Sequence, residues 1–407
     1  MPASGRPLRV LIKSPFSDYS GYGRDGFGLA RALHRWGCDV YLQPTWLDVP
    51  VPRDLLPLFA KELRAPFDLL INHWDPGHLG ITPEARQCAR VAVAWTMWEF
   101  AGGPGKDGKG VSGLVPHCPA RSTLKNRLRW FDMVLGYDPV SLAALQPYIP
   151  PKVHYGVLQG GYDAGEWKKA ERDWFSERFG FIMHGALNDR KCPWTAIEAF
   201  QALKFERGDD FAGATLALHT NAPGKLFPEL NEPFKATKIR VFVDAFDRPT
   251  LDDFYSAGHC LLAPSRGEGK NLPALEFMST GGVVAGTNFG GHAMWMNADY
   301  AYPLDYTLAP TFEDKPWGAH DARVSVEHLK EVIWHVYTHR AEARQKAELA
   351  ARLIPQMCDW SVVIANLFRR IGDQVTGPGP EVAAQAFACR REPEPGPSAG
   401  LPGWHRQ

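Results

Sequence analysis

The chain has 407 residues, too many for one ordinary hydrophobic core and enough for two, each able to bury most of its apolar surface. Lys plus Arg equals Asp plus Glu at 45 each, so no bulk field draws the protein toward nucleic acid or anionic lipid, although a zero sum can hide a local basic patch. A hydrophobic fraction of 45% against 22% charged residues is ordinary for a globular protein.

Seven scattered cysteines, an odd number with no C-x-x-C pair, argue against a disulfide framework and for a reducing compartment. The N-terminal "MPASGRPLRVLIKS" has too short an apolar run for a signal peptide, and no stretch approaches the ~20 apolar residues of a membrane span. The expectation is a cytoplasmic protein, with peripheral membrane contact left open.

Short apolar runs alternate with longer amphipathic stretches, the pattern of parallel sheets covered by helices. The first series of strands is "LRVLIK" (8–13), "DVYLQ" (39–43), "FDLLIN" (67–72), "VAVAW" (91–95) and "FDMVLG" (131–136). The second is "FGFIMH" (179–184), "ATLALHT" (214–220), "IRVFV" (239–243), "HCLLAP" (259–264) and "GVVAG" (282–286). Helices are expected between them, for example "DGFGLARALHRW", "PWTAIEAFQALKFE" and "TLDDFYSAG", and again over 324–371. The fold class is α/β, two facing doubly wound Rossmann-like units with a cleft between them. The expected organisation is 1–160, 161–350, a closing helical segment 351–375, and a Pro/Gly-rich disordered tail 376–407. Ligands of such sheets bind beyond the carboxyl ends of the strands.

Gly21-Tyr-Gly23-Arg-Asp-Gly26 spells the G-x-G-x-x-G of a dinucleotide turn, but fails its context. In that fingerprint the first glycine follows the first strand at once, and an acidic residue about 20 positions on grips the ribose. Here seven residues intervene, and the second strand ends in Gln43-Pro44. The remaining readings are a loop capping a helix, or a close backbone approach to a ligand across the cleft.

The segment "LLAPSRGEGKNLPALEFMSTGGVVAG" (261–286) is more informative. A buried strand ends at Pro264, a polar loop follows, and Pro273 marks the first turn of a helix that stops at Gly281-Gly282. Free backbone N–H groups at such a helix start make an anion site. Glu268 and Glu276 flank it. Acids repel a bare phosphate but suit a ligand that also carries hydroxyls: Glu276 can accept from a ribose diol, and Glu268 can contact a sugar beyond a diphosphate. The plainer alternative is that Glu276 merely favours an early helix position and Glu268 is solvated.

"PSRGEGKNLPALEFMSTGG" resembles the E-G-F-G-L-P-x-x-E-A-M-A-x-G signature of the retaining glycosyltransferases of family 4, whose architecture is GT-B. "FIMHGALNDRKCPWTAIEAFQAL" (181–203) is similar to that family's strand, glycine loop, lysine and helix, and "CDWSVVIANLF" resembles its closing helix. The resemblance implies transfer from a nucleotide-diphosphate sugar with retention and without an obligatory metal or other cofactor. By position it implies that Lys191, with Arg190 beside it, neutralises diphosphate charge and that Asn271 and Leu272 offer backbone N–H groups to the phosphate. Glu276 then holds the ribose, Glu268 lies near the transferred sugar, and Gly21, Gly23 and Gly185 allow close approach. The chain departs from the pattern at Ala186, where the family commonly has arginine, and at Lys270-Asn271 in place of Phe-Gly. Donor identity therefore stays open, as does a non-catalytic nucleotide or glycan-binding relative.

Asp209-Asp210 and Asp252-Asp253 form no D-x-D motif at a strand end and read as cap or surface charges. On the acceptor side, "INHWDPGH" and "WTMWEF" follow strands, which makes His73, Asp75, Glu99 and Trp98 candidate acceptor contacts, with His73 also a candidate base. Each has a structural alternative, and core packing is the stronger reading for most tryptophans. The acceptor itself is open between a glycan, a lipid-linked sugar, a small molecule and a modified DNA base. The last would draw on Lys106, Lys109 and Lys125 for local charge.

Overall fold

In the computed structural model, residues 6–18, 20–48, 50–76, 78–99, 121–220, 238–243, 246–311 and 319–376 are described. Lys106, Lys109, most of the loop that carries them, and the tail from 377 lie outside the described residues.

The first sheet contains β1 (Arg9–Phe16), β2 (Asp39–Leu47), β3 (Phe67–His73), β4 (Ala89–Thr96), β5 (Met133–Gly136) and β6 (His154–Val157). Their order is β2-β1-β3-β4-β5-β6, all parallel. The second holds β7 (Phe179–His184), β8 (Ala214–His219), β9 (Ile239–Phe242), β10 (Cys260–Ala263), β11 (Val283–Thr287) and β12 (Tyr302–Leu304), in the order β12-β11-β10-β7-β8-β9. It too is parallel. β13 (Thr307–Pro310) and β14 (His320–Arg323) form a separate antiparallel pair. The central strands β3, β10 and β11 are buried at every residue, which is why they read as unbroken apolar runs.

The helices are α1 (Gly21–Arg35), α2 (Leu56–Phe59), α3 (Pro83–Gln87), α4 (Arg121–Leu128), α5 (Pro139–Leu145), α6 (Pro193–Arg207), α7 (Arg248–Ala257) and α8 (Leu272–Ser279). Three more close the chain: α9 (Val326–Thr338), α10 (Arg340–Cys358) and α11 (Trp360–Thr376). α6 packs Ala196, Ile197, Phe200 and Leu203 into the second core, one helical face at spacings of one, three and three. Side-chain caps start several of them: Asp247 accepts from the Thr250 N–H at 3.0 Å and Ser325 from the His328 N–H at 3.1 Å.

α1 corrects an expectation. Gly21 and Gly23 are not in a loop but in the helix itself, whose N-cap Ser20 accepts from the Gly23 N–H at 3.0 Å. A Cβ on Gly23 would lie 2.4 Å from the Ser17 backbone nitrogen, so this glycine lets the helix start fold back on the strand exit.

Two crossovers join the halves side by side. The Tyr162 N–H donates to the Cys358 carbonyl and the Trp360 N–H to the Tyr162 carbonyl, both at 3.1 Å. Beyond them α10 faces the second core with Ala343 and Ala347, whereas α11 buries Val363, Ile364, Leu367 and Ile371 against α1 and β4 in the first. Trp360 anchors that return, lying edge-on to Trp95 at 6.1 Å.

A Cβ added at Gly28 would fall 2.0 Å from the Trp360 indole nitrogen, while one at Gly21 meets nothing within 4 Å. Gly28→Ala is therefore expected to cost about 1–3 kcal/mol in urea unfolding, as overpacking does. Gly21→Ala should be neutral or stabilising by up to about 1 kcal/mol, since alanine is the better helix former. Equal stability of the two variants would contradict this account of how α11 is seated.

Candidate functional site

The carboxyl ends of both sheets face one another across the cleft, and the segment 264–271 between β10 and α8 lies in it. Its main chain is pinned at almost every residue. The Arg266 N–H donates to the Arg190 carbonyl at 2.8 Å, and the Arg266 carbonyl accepts from the Ala322 N–H at 2.8 Å. The Glu268 carbonyl accepts from Gly291 N–H at 2.8 Å, the Gly269 carbonyl from Gln159 Nε2 at 3.2 Å, and the Lys270 carbonyl from Trp295 Nε1 at 2.9 Å. Gly267 passes so close to the Glu99 carbonyl that a Cβ would sit 1.9 Å from it. A loop held this way presents its side chains in fixed directions.

Asn271 ends the loop in the left-handed region (φ 62°) and no side chain caps α8. His292 Nδ1 lies 3.0 Å from the Thr287 carbonyl, which can only accept, so Nδ1 carries the proton. Nε2 is then free to accept from the Asn271 amide at 2.8 Å. That orients Asn271 Oδ1, which is buried without a hydrogen-bond partner among the described residues.

Three groupings of cations and carboxylates span the cleft. In the first, the short 3-10 turn Asp189–Lys191, reached from β7 through Gly185, sends Lys191 Nζ to Glu268 Oε1 at 2.5 Å. Arg190 Nη1 lies 3.1 Å from both Glu268 Oε2 and Glu99 Oε1, and Glu99 comes from the end of β4 in the other half. Burial opposes ionisation of Glu268, but Lys191 and Arg190 outweigh it and hold its carboxyl well below the usual range. Burial raises Glu99, against the pull of Arg190 and with the push of Glu268.

In the second grouping, Glu276 on α8 is buried, accepts from the Tyr255 hydroxyl at 3.1 Å through Oε2, and pairs through Oε1 with Arg24 from α1. In the third, Lys270 Nζ meets Asp25 Oδ1 at 2.5 Å, both side chains only 2–3% exposed, and also donates to the Gly161 carbonyl. Asp25 Oδ2 accepts from the Tyr137 hydroxyl at 2.8 Å. The phenol oxygen then accepts from His73 Nε2 at 2.6 Å, and His73 Nδ1 takes the Ser14 hydroxyl at 2.9 Å.

The structure thus brings Lys191, Arg190, Glu268 and Glu99 into contact and sets Asn271 and Leu272 at the helix start beside them. It places other expected residues elsewhere. His73, expected as an acceptor contact or base, is fully buried with both ring nitrogens engaged. Trp98 is 3% exposed, packs on Ala144 and Ala319, and has its main chain tied to Ser141, so it fills space between the halves and offers no open face. Asp75 sits in the loop after β3, 2.5 Å from His78 Nδ1, which in turn stacks on Trp74. Lys125 is exposed on α4. Arg24, Asp25, Tyr255 and His292 were not singled out from the sequence.

Flat side chains collect at the ends of β7 and β8: His184 and His219 are edge to face at 4.8 Å, and His219 stacks on Phe246 at 3.5 Å. Among the described residues no group of three or more His, Cys, Asp or Glu is gathered as for a metal ion, and no helix is long and apolar enough to cross a membrane.

No family model and no curated protein matches the sequence. Solved structures do match in shape. Sucrose-phosphate synthase from Thermosynechococcus elongatus is 15% identical, over 90% of this chain and 99% of that one, with a TM-score of 0.60. Anabaena HepE in complex with UDP-glucose is 13% identical over 90% and 100%, at 0.58. The catalytic domain of starch synthase IV from Arabidopsis thaliana, bound to ADP and acarbose, is 12% identical over 91% and 100%, at 0.59. At these identities the likeness establishes the fold, the two facing doubly wound domains of GT-B.

Two tests follow from the buried charges. Lys270→Met strands Asp25 without its cation and should cost about 3–5 kcal/mol, of which much returns in the Lys270→Met/Asp25→Asn double variant; a double-mutant cycle in denaturant measures the coupling. Burial pushes His73, His259 and His292 each down to about 4. Their unfolded rings bind a proton near 6.5, so between those values the unfolded state holds more protons and stability falls as pH falls. Unfolding free energy should drop by roughly 1 kcal/mol per pH unit for each ring between pH 6 and 4.5. A flat profile over that window would mean the rings are not buried as described.

Proposed function

We propose that the protein is a glycosyltransferase that moves a hexosyl or pentosyl group from a nucleotide-diphosphate sugar to an acceptor hydroxyl, with retention and without an obligatory metal. The observation that carries this reading is the meeting of Lys191 and Arg190 with Glu268 at the start of α8, on a fold whose solved examples include proteins holding UDP-glucose and ADP.

In this reading the diphosphate lies against the N-terminus of α8, where the Leu272 N–H and the helix dipole add to two side-chain cations. Fixed positive groups at the leaving phosphate stabilise the charge that develops as the anomeric bond breaks. Glu276 accepts from the ribose hydroxyls, held in aim by Tyr255. Glu268, kept ionised by its two cations, accepts from hydroxyls of the transferred sugar. The rings of His184, His219 and Phe246 lie where a base extends beyond the ribose. The acceptor enters from the first domain past Glu99 and Asp75. A leaving phosphate oxygen takes its proton, as the family resemblance implies.

Charge-assisted hydrogen bonds contribute about 1.5–3 kcal/mol. Lys191→Ala and Glu276→Ala are therefore each expected to weaken binding of the accepted nucleotide sugar by about 10- to 100-fold in titration calorimetry. A panel of UDP-, ADP- and GDP-sugars identifies that donor first. Unchanged affinity in both variants would overturn the assignment of the site.

A further inference from the structure

The carboxylate proposed to hold the ribose is already paired within the protein. Glu276 is 1% exposed and has one oxygen on Tyr255, so it is fixed; its other oxygen is taken by Arg24, reaching from the first turn of α1 in the opposite domain. Of the cleft cations, Arg24 is the most open: its side chain is 34% exposed, against 19% for Arg190, 11% for Lys191 and 3% for Lys270. Arg190 and Lys191 are each bound to carboxylates of the first grouping, and Lys270 is locked to Asp25 and the Gly161 carbonyl. Arg24 alone combines a side chain about a third exposed with a single hydrogen-bonded carboxylate among the described contacts, Asp18 acting on it only through space.

A nucleoside diphosphate brings two chemically different parts to this place. Its ribose diol is neutral and donates to a carboxylate, and so competes with the guanidinium for the one exposed approach to the buried Glu276. Its diphosphate is anionic and needs cations, while the charges nearest α8 are already balanced, Lys191 and Arg190 against Glu268 and Glu99. A guanidinium released from Glu276 is the cation free to answer that charge, and its planar fork suits phosphate oxygens.

Resting on the nucleotide-sugar reading above, we propose that Arg24 is an exchangeable occupant of the ribose seat: it caps Glu276 when the site is empty and transfers to the diphosphate when donor binds. The domains then carry an internal competitor that nucleosides must displace without compensation and that diphosphates convert into a ligand contact. The device discriminates against any nucleoside lacking the diphosphate.

The exchange gives opposite signs in one variant. Full-length wild type and Arg24→Gln are titrated calorimetrically with UDP, ADP, GDP and CDP, and with uridine, adenosine, guanosine and cytidine by displacement of the bound diphosphate. In Arg24→Gln the accepted diphosphate should bind about tenfold weaker and the matching nucleoside about threefold or more tighter. Arg24→Lys retains the charge, guards against loss of folding in the glutamine variant, and should keep both affinities within about threefold. Weakening of nucleoside and diphosphate together, or no change in either, overturns the exchange and leaves Arg24 a strut between domains. If wild type binds none of the four diphosphates, the nucleotide-sugar reading falls first, and this inference with it.

Discussion

A buried ammonium cannot be left without its counter-charge, and Lys270 meets Asp25 from the other half of the molecule. Everything in the cleft is built around that requirement. Lys270 leaves the middle of the loop that carries Glu268 and Asn271, so the loop cannot shift without exposing or orphaning a charge. On the far side, Asp25 is fixed by Tyr137, Tyr137 by His73, and His73 by Ser14 on β1. The relay ties the loop that carries Glu268 to the first strand of the opposite sheet. Lys270 also reaches the Gly161 carbonyl, beside the hydrogen-bonded crossovers at Tyr162 and Trp360. The ion pair thus sits beside the two crossovers and holds the halves together there, while Arg24 and Glu276 make a second contact between them.

The cleft is charge-balanced before any ligand arrives. Four charges gather around Arg190, and two simple pairs complete the set. Such balance lowers the cost of burying ionised groups in the absence of ligand. It also means that an incoming anion gains only the difference between its own contacts and those it replaces, so affinity depends on which internal partner yields. Exposure separates the cations, from Lys270 at 3% to Arg24 at 34%.

The two sheets were legible because their central strands are buried on both faces, which leaves an unbroken apolar run such as "FDLLIN". β6 was not legible: it is an edge strand with His154 and Tyr155 exposed and a glycine at its centre, so burial writes no pattern into it. β12 is three residues long and contains Pro303. The start of α1 was misplaced because Gly21 and Gly23 read as loop, while the reason for glycine, the backbone of Ser17 beneath, is a tertiary fact. Among the candidate site residues, Glu268 and Glu276 stood out by flanking a helix start after a buried strand, and Lys191 through the family resemblance. Arg24 and Asp25 were invisible because their partners lie 252 and 245 residues away. His73 misled for a related reason. A polar residue at a strand end marks the rim of a sheet, but Tyr137, 64 residues on, turns it inward.

Glu99 and Glu268 share one arginine yet are driven apart in acidity. Burial weighs on both, but Glu268 has Lys191 and Arg190 together, while Glu99 has Arg190 at 3.1 Å with Glu268 itself pushing back. One carboxyl is therefore held lower than usual, as an anion that accepts hydrogen bonds, and the other is raised. In the proposed reaction the first orients hydroxyls of the donor sugar, and the second, from the end of β4, lies on the side of the first domain. Because both answer to the same guanidinium, loss of Glu268 would free Arg190 for Glu99 and lower its proton affinity. The donor-side acid thereby tunes the acceptor-side one.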